Sequence, residues 1–430
     1  MKNILGCKSV KSASASFKEK NEQMQDNIYK LKGKIQHYAW GGYTYISKLL
    51  GIENTNGEPY AEYWLGAHPS AAAEIILDDG ASVSLLQFIQ QDPNRVLTPA
   101  IQAKFGELPY LLKVLDVREM LSIQVHPTKE NAIKGFESEE QAGIPIHAPH
   151  RNYKDKNHKP EVMVALSETF WLLHGFKSAA AIESVLANTF ELSVLLPLFK
   201  KQGYKALYQL VMEMEQKDIN NKLNTLIRKE LHKKAEGLLT KNDPGWWVAK
   251  LYEGKEAIEN IDRGIFSIYF FNIVQLKKGE GIFQKAGIPH AYLEGQNVEL
   301  MANSDNVLRA GLTPKHIDVP ELLKHTIFQP VIPEILTGKQ IERNVLEFNY
   351  PCPVPDFGIH KIEWEGANQY TAYAASPEII IAVEGGFIIS STNGKNKVIK
   401  QGEACFIIPN TEYSISSSGR VLLFKAFVPI

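Results

Sequence analysis

Two periodicities divide the chain. From Tyr29 to about Phe176 apolar residues come in short or alternating runs broken by Gly, Pro and Asn, as in "GIENTNGEPYAEYWLGAHPSAAAEIIL", which predicts antiparallel strands joined by tight turns. Between Ser178 and about Glu256 the spacing becomes helical. There "YKALYQLVMEMEQ" and "INNKLNTLIRKELHKKAEGLL" carry apolar residues three and four apart among Lys and Glu. From Phe266 the strand grammar returns, and "IYFFNIVQLKKGEGIFQKAGIPHAYLEG" predicts short apolar strands separated by Gly-rich turns. A later stretch, "PEIIIAVEGGFIISSTNGKNKVIKQGEACFIIP", repeats that grammar, with a hairpin expected at "NGKN". Where the first copy has "AGIPHAY" the second has "IIPNTEY", so Asn410 stands in the place of His290 and only the first copy is equipped for chemistry. The pattern predicts a mainly β protein with an α-helical insertion.

Composition narrows the partners. At 430 residues the chain has room for two or three packed units. Its 47 basic and 48 acidic residues leave a net charge of -1, with no basic stripe to neutralise a phosphate backbone, so nucleic acid is excluded as a partner. Cys7, Cys352 and Cys405 are scattered, which argues against a disulfide framework or a thiolate metal site and fits a cytoplasmic protein. No run of 18 apolar residues is present, so no membrane-spanning helix is expected. Residues 1–27 are polar and without an apolar core, as expected of a disordered or extended tail rather than a secretory signal.

Candidate chemistry starts in "LSIQVHP". On a strand, Ser122, Gln124 and His126 share one face, while Leu121, Ile123 and Val125 share the other. Alone, this is more readily the pattern of a solvated sheet face. Similar side chains recur elsewhere: "NHKPEVMVAL" opens an apolar strand with Lys159 and Glu161, and "GIPHAYLEG" sets His290 and Tyr292 on one strand face after a Gly-Pro turn. Glu161 also fits a surface ion pair with Lys159, and His290 a turn histidine. Together, two histidines, a carboxylate and an amide oxygen make an N/O ligand set suited to Zn²⁺ with an open position. The stretch "NVELMANSDNVLRAGLTPKHID" adds Glu299, Asp305, Arg309 and Lys315, and "LPYLLKVLDV" embeds Lys113 in an apolar run. Cations beside a metal site point to an anionic substrate; a solvated loop and a snorkelling lysine are the alternatives.

In unbroken order from about Lys32 to the end, "QHYAWGG", "AEYWLGAHPSA", "LPYLLKVLDVREMLSIQVHP", "NHKPEVMVAL", "GIPHAYLEG" and "NVELMANSDNVLRAGLTPK" closely resemble the type I phosphomannose isomerase family. The resemblance implies two cupin-type (jelly-roll) β-barrels plus a helical domain. The expected division is 28–177 with 262–335 as the catalytic barrel, 178–261 as the helical insertion and 336–430 as the second barrel. It further implies interconversion of mannose 6-phosphate and fructose 6-phosphate, in the supply of GDP-mannose, by a cytoplasmic monomer. One Zn²⁺ per chain would be held by Gln124, His126, Glu161 and His290, with Arg309 as catalytic arginine. Ser122, Lys113, Lys159, Tyr292, Glu299, Asp305 and Lys315 match pocket positions.

Moving a proton between C2 and C1 requires a base, an oxyanion stabiliser and a grip on the phosphate. Glu299 is the preferred base, with Lys159 or solvent activated at the metal as alternatives. Ser122, Lys113 and Lys315 are expected at the phosphate. Rival readings are another metal-dependent cupin enzyme, such as an Fe²⁺ oxygenase or an epimerase, and a sugar-phosphate-binding cupin without catalysis. A fourth ligand in Gln124 speaks against the oxygenase.

Overall fold

The computed structural model describes residues 26–255, 258–341, 344–392 and 395–430. The expected polar tail lies almost wholly outside these residues, as do Asn393 and Gly394 of the expected hairpin; the strands flanking that turn, Phe387–Ser391 and Lys397–Ile399, do pair.

A ten-stranded sheet positions the candidate residues. Besides Lys34–Gln36 it contains β1 (Glu62–Gly66), β2 (Tyr110–Val117), β3 (Gln124–Val125), β4 (Glu161–Ala165), β5 (Thr169–Phe176), β6 (Phe271–Lys277), β7 (Gly281–Gln284), β8 (His290–Ala302) and β9 (Leu308–Arg309). β8 is its hub. The start of β8 pairs with β5 and β3, and its last eight residues pair with β2. Between the two halves a bulge separates Tyr292 from Glu294, and Gly295 follows at φ 128. A Cβ on Gly295 would stand 2.7 Å from Phe170 Cδ2, so only glycine fits the corner. The bulge has a functional consequence. In an unbroken strand His290 and Glu299 would face opposite ways; one extra residue reverses the parity and turns both inward. The fold over this corner is tight enough for the Tyr292 hydroxyl to reach Glu299 Oε2 at 2.6 Å, although seven residues of straight strand would span about 23 Å.

The insertion folds as expected into helices α1 (Ala179–Asn188), α2 (Leu196–Glu213), α3 (Gln216–Ala235) and α4 (Pro244–Tyr252). Ser178 starts α1 by accepting a hydrogen bond from the Ala181 amide. Leu186, Leu207, Val211, Leu223, Ile227 and Trp247 pack in one core with Trp171, Leu173 and Phe176 of β5, which fastens the helices to the sheet. One segment departs from expectation. "GIFSIYF" is a wholly buried helix, α5 (Gly264–Phe270), and the strand begins only at Phe271. A short run that is apolar on every side carries no period by which to tell strand from helix. The first unit also holds short helices among its strands, the longest being Lys129–Gln141.

A nine-stranded sheet holds most of the C-terminal strands, and a four-stranded sheet packs across it. Ile362, Tyr370, Ile380, Phe387, Ile415 and Leu423 fill the space between them. Ile28–Lys32 joins the nine-stranded sheet through Ile28 opposite Ile407, and brings Glu74–Ile76 and Ser82–Ser84 with it. The expected boundary, which placed these segments with the first unit, therefore cuts across a sheet. Pairing between residues so far apart in sequence leaves no local signal. Among the described residues no helix is long and apolar enough to cross a membrane.

Candidate metal centre and adjoining cavity

Four strands present one row of side chains. His174 lies directly opposite His290, His290 opposite Gln124, and Gln124 opposite Arg309. Directly opposed residues share a face, so the row lines the inside of the sheet. Glu161 enters the same face from β4, and His126 follows the short strand β3.

His126, Glu161 and His290 converge, each buried, with ligand atoms all within 4.8 Å of one another. Glu161 Oε1 stands 3.3 Å from His126 Nε2, and its Oε2 3.3 Å from His290 Nε2. The far nitrogens settle the tautomers. His126 Nδ1 lies 2.9 Å from the Asn306 carbonyl and His290 Nδ1 2.9 Å from the Ile288 carbonyl. A carbonyl oxygen can only accept, so both Nδ1 atoms carry hydrogen and both Nε2 lone pairs point at the carboxylate. Burial pushes the His126 imidazole down to about 4, which keeps it neutral. Burial opposes ionisation of Glu161, but the Lys159 ammonium, at 3.2 Å, holds its carboxyl well below the usual range. Three acceptors therefore face one another, and His126 Nε2 is buried with no hydrogen-bond partner. Such a constellation is costly unless a cation sits among its members. Imidazole fixed through Nδ1 to a carbonyl is the usual posture of a metal-ligating histidine, and Gln124, beside His290 in the row, offers a neutral oxygen. The donor set fits Zn²⁺.

Above this cluster opens a cavity of about 680 Å³. Of the sequence-predicted residues, Lys113, Ser122, Gln124, Lys159, Asp305, Arg309 and Lys315 line it. His126, Glu161, His290, Tyr292 and Glu299 lie buried beneath. Lys113 is ion-paired on both sides, 3.2 Å from Glu62 and 3.3 Å from Glu299, with the Trp64 ring 4.9 Å away. Burial alone would lower the Lys113 pKa, but Glu62 and then Glu299 hold it above the ordinary lysine value. Glu299 is raised as well: burial, then Glu161, push its carboxyl up.

Several residues escaped the sequence reading. Glu62 accepts from Trp64 Nε1 at 2.5 Å and anchors Lys113. Its signal was a charge inside "AEYWLG", a strand buried along its whole length. His68 sits 3.4 Å from Asp305. Lys154 joins the cavity wall from the loop before β4. Asn306 orients His126 through its main chain, a role that no side-chain pattern announces.

Known proteins share this fold. Residues 28–179 match the family described as phosphomannose isomerase type I, catalytic domain. The chain is 37% identical over 408 residues to the mannose-6-phosphate isomerase of Salmonella typhimurium, covering 93% of this chain and 99% of that protein. It is 32% identical over 430 residues to the human one, covering 93% and 98%. Among solved structures, the Salmonella typhimurium mannose 6-phosphate isomerase bound to its substrate, fructose 6-phosphate, and to zinc superposes with a TM-score of 0.82 at 34% identity, covering 94% of this chain and all of that one. With matches that run nearly end to end in both sequence and fold, the chain belongs to the type I phosphomannose isomerase family.

Proposed function

We propose that the protein interconverts mannose 6-phosphate and fructose 6-phosphate through a cis-enediol, with one Zn²⁺ per chain held by Gln124, His126, Glu161 and His290. The observation that carries this reading is the buried cluster of two imidazole acceptors and a carboxylate with no donor among them, set beneath a cavity lined by cations. When bound, the metal supplies Lewis acidity to oxygens at C1 and C2 of the sugar. Gln124 keeps that acidity high, because a neutral ligand leaves one carboxylate against a divalent charge.

The protein's own groups do the rest. Arg309 is fixed in charge and stands in register beside Gln124, where it stabilises the enediolate. Glu299 moves the proton between C2 and C1: its raised carboxyl is poised as a base, and Tyr292 and Lys113 hold it in place. Lys159 and Asp305 contact sugar hydroxyls from the cavity wall. Ser122 and Lys315 hold the phosphate, so binding energy remote from the reacting carbons orients the sugar. Lys113 serves this site by bridging Glu62 and Glu299, its charge being committed to them.

The reading extends to architecture and setting. Both β units are cupin-type barrels, the four helices form their own domain, and the chain works as a cytoplasmic monomer supplying GDP-mannose synthesis. The core shared by the two C-terminal sheets supports a barrel there, and the three scattered cysteines support the reducing setting. The test is incubation of the zinc-loaded protein with mannose 6-phosphate in D₂O, followed by NMR. Fructose 6-phosphate carrying solvent deuterium at C1 is expected; an unchanged substrate would refute the assignment.

A further inference from the structure

The cations of the cavity fall into two groups. Lys113 is balanced by Glu62 and Glu299, and Lys159 by Glu161. Lys154, Arg309 and Lys315 line the same cavity with no carboxylate at ion-pair distance among the described residues. They come from three segments: the loop before β4, strand β9, and the loop beyond it. Lys315 registers the crowding, because burial, then Arg309, then Lys154 lower its pKa. Three positive charges without a counter-ion repel one another, and each gains when an anion arrives.

Lys154 is held in place for such an encounter. Its main-chain N–H donates to Asn306 Oδ1 at 2.7 Å, and Asn306 is fully buried. The Asn306 amide in turn donates to the Asp155 and Asn157 carbonyls, each at 2.8 Å. The loop is thus pinned while the lysine side chain stays exposed. This departs from the sequence reading, which gives the phosphate to Ser122, Lys113 and Lys315, only in replacing Lys113, whose ammonium is already enclosed by two carboxylates.

We propose that Lys154 is a specificity-determining residue, which together with Lys315 neutralises the two charges of the substrate's phosphate and leaves Arg309 for the reacting carbons. The assignment rests on the sugar-phosphate isomerase reading above. Two lysines match one dianion, so the site selects the doubly ionised phosphate over the singly ionised form.

The experiment uses the zinc-loaded full chain with Lys154→Met and Lys154→Arg. Lys154 is exposed, so neither substitution disturbs the core. Lys154→Met should raise KM for mannose 6-phosphate about tenfold and change kcat less than about threefold, the scale of one charge-assisted contact made in ground and transition states alike. The inhibition constant of inorganic phosphate should rise by the same factor, and Lys154→Arg should restore both. Wild-type KM should fall as pH rises through the second phosphate pKa of about 6, and the fall should be shallower in Lys154→Met. KM and phosphate inhibition both within twofold of wild type in Lys154→Met would overturn the proposal. Calorimetry with inorganic phosphate separates it from the reading it rests on. Phosphate binding that depends on Lys154 in a protein that does not isomerise the sugar overturns that reading alone. Phosphate binding indifferent to Lys154 in an active isomerase overturns the proposal alone.

Discussion

Asn306→Ala should weaken both the fold and the metal centre, because Asn306 ties one to the other. Its side chain, wholly buried, accepts from the Lys154 and Asp155 amides at 2.7 and 3.3 Å. It donates to the Asp155 carbonyl, the Asn157 carbonyl and Asp155 Oδ1 at 2.8, 2.8 and 3.1 Å. Its own carbonyl receives His126 Nδ1. Each lost hydrogen bond contributes about 0.5–1.5 kcal/mol, and stranding the part-buried Lys154 and Asp155 amides adds to that, so a loss of about 3–5 kcal/mol is expected. Loosening a carbonyl that orients a ligand histidine should weaken zinc binding about 10–100-fold. Urea unfolding of the zinc-free protein reads the first effect, and competition with a chromophoric chelator reads the second. Asn306→Asp should fare no better at neutral pH, since it turns a donor toward Asp155 into a second carboxylate. Stability within about 0.5 kcal/mol of wild type, or zinc affinity within about twofold, would show that the link carries no load.

Other substitutions act on separate parts of the molecule. Gln124→Glu should cost more in turnover than in zinc affinity, because added negative charge reduces Lewis acidity; equal activity at full zinc occupancy refutes the charge argument. Glu299→Gln at full zinc should lower kcat about 10²–10⁴-fold, and near-normal turnover would remove Glu299 as the base. Gly295→Ala should cost about 2–4 kcal/mol, since the left-handed φ and a Cβ 2.7 Å from Phe170 both oppose it; an unchanged thermal midpoint would mean the corner can open. Glu347 bears on acid stability. Burial opposes its ionisation, but His360 and Lys425 hold its carboxyl down to about 2. A pKa depressed on folding gives stability that is present above the unfolded value near 4.5 and is lost as pH falls toward about 2, roughly 3 kcal/mol in all. Glu347→Gln should therefore flatten the acid limb of the stability profile between those values, and an unaltered limb would count against it.

The site was legible where its residues alternate on unbroken strands and illegible where the backbone breaks the rule. Gln124 and His126 announced a shared face by spacing alone. His290 and Glu299 did not, because nine residues of regular strand would separate them, and only the bulge beside Gly295 brings both inward. Glu62 was hidden by its neighbours' apolarity, although a charge in so buried a strand demands a partner. Asn306 and Lys154 gave no sign, since one acts through its carbonyl and the other from a loop held by that same asparagine. At the level of the fold, helical and strand periods separated the insertion from the sheets. They failed at "GIFSIYF", where burial on all sides erases the period, and at Ile28–Lys32, whose partner Ala404–Ile407 lies at the other end of the chain.

If His126, Glu161 and His290, with Gln124, hold the zinc on which isomerisation depends, metal content and turnover must move together. The most direct test is a zinc titration of chelator-stripped protein, with bound metal and conversion of mannose 6-phosphate to fructose 6-phosphate measured on the same samples. No turnover is expected without metal, and activity should rise in proportion to bound zinc, saturating at one equivalent, with both lost together in Glu161→Gln. Full turnover by the stripped protein, or one equivalent of zinc bound with no fructose 6-phosphate formed, would contradict this assignment.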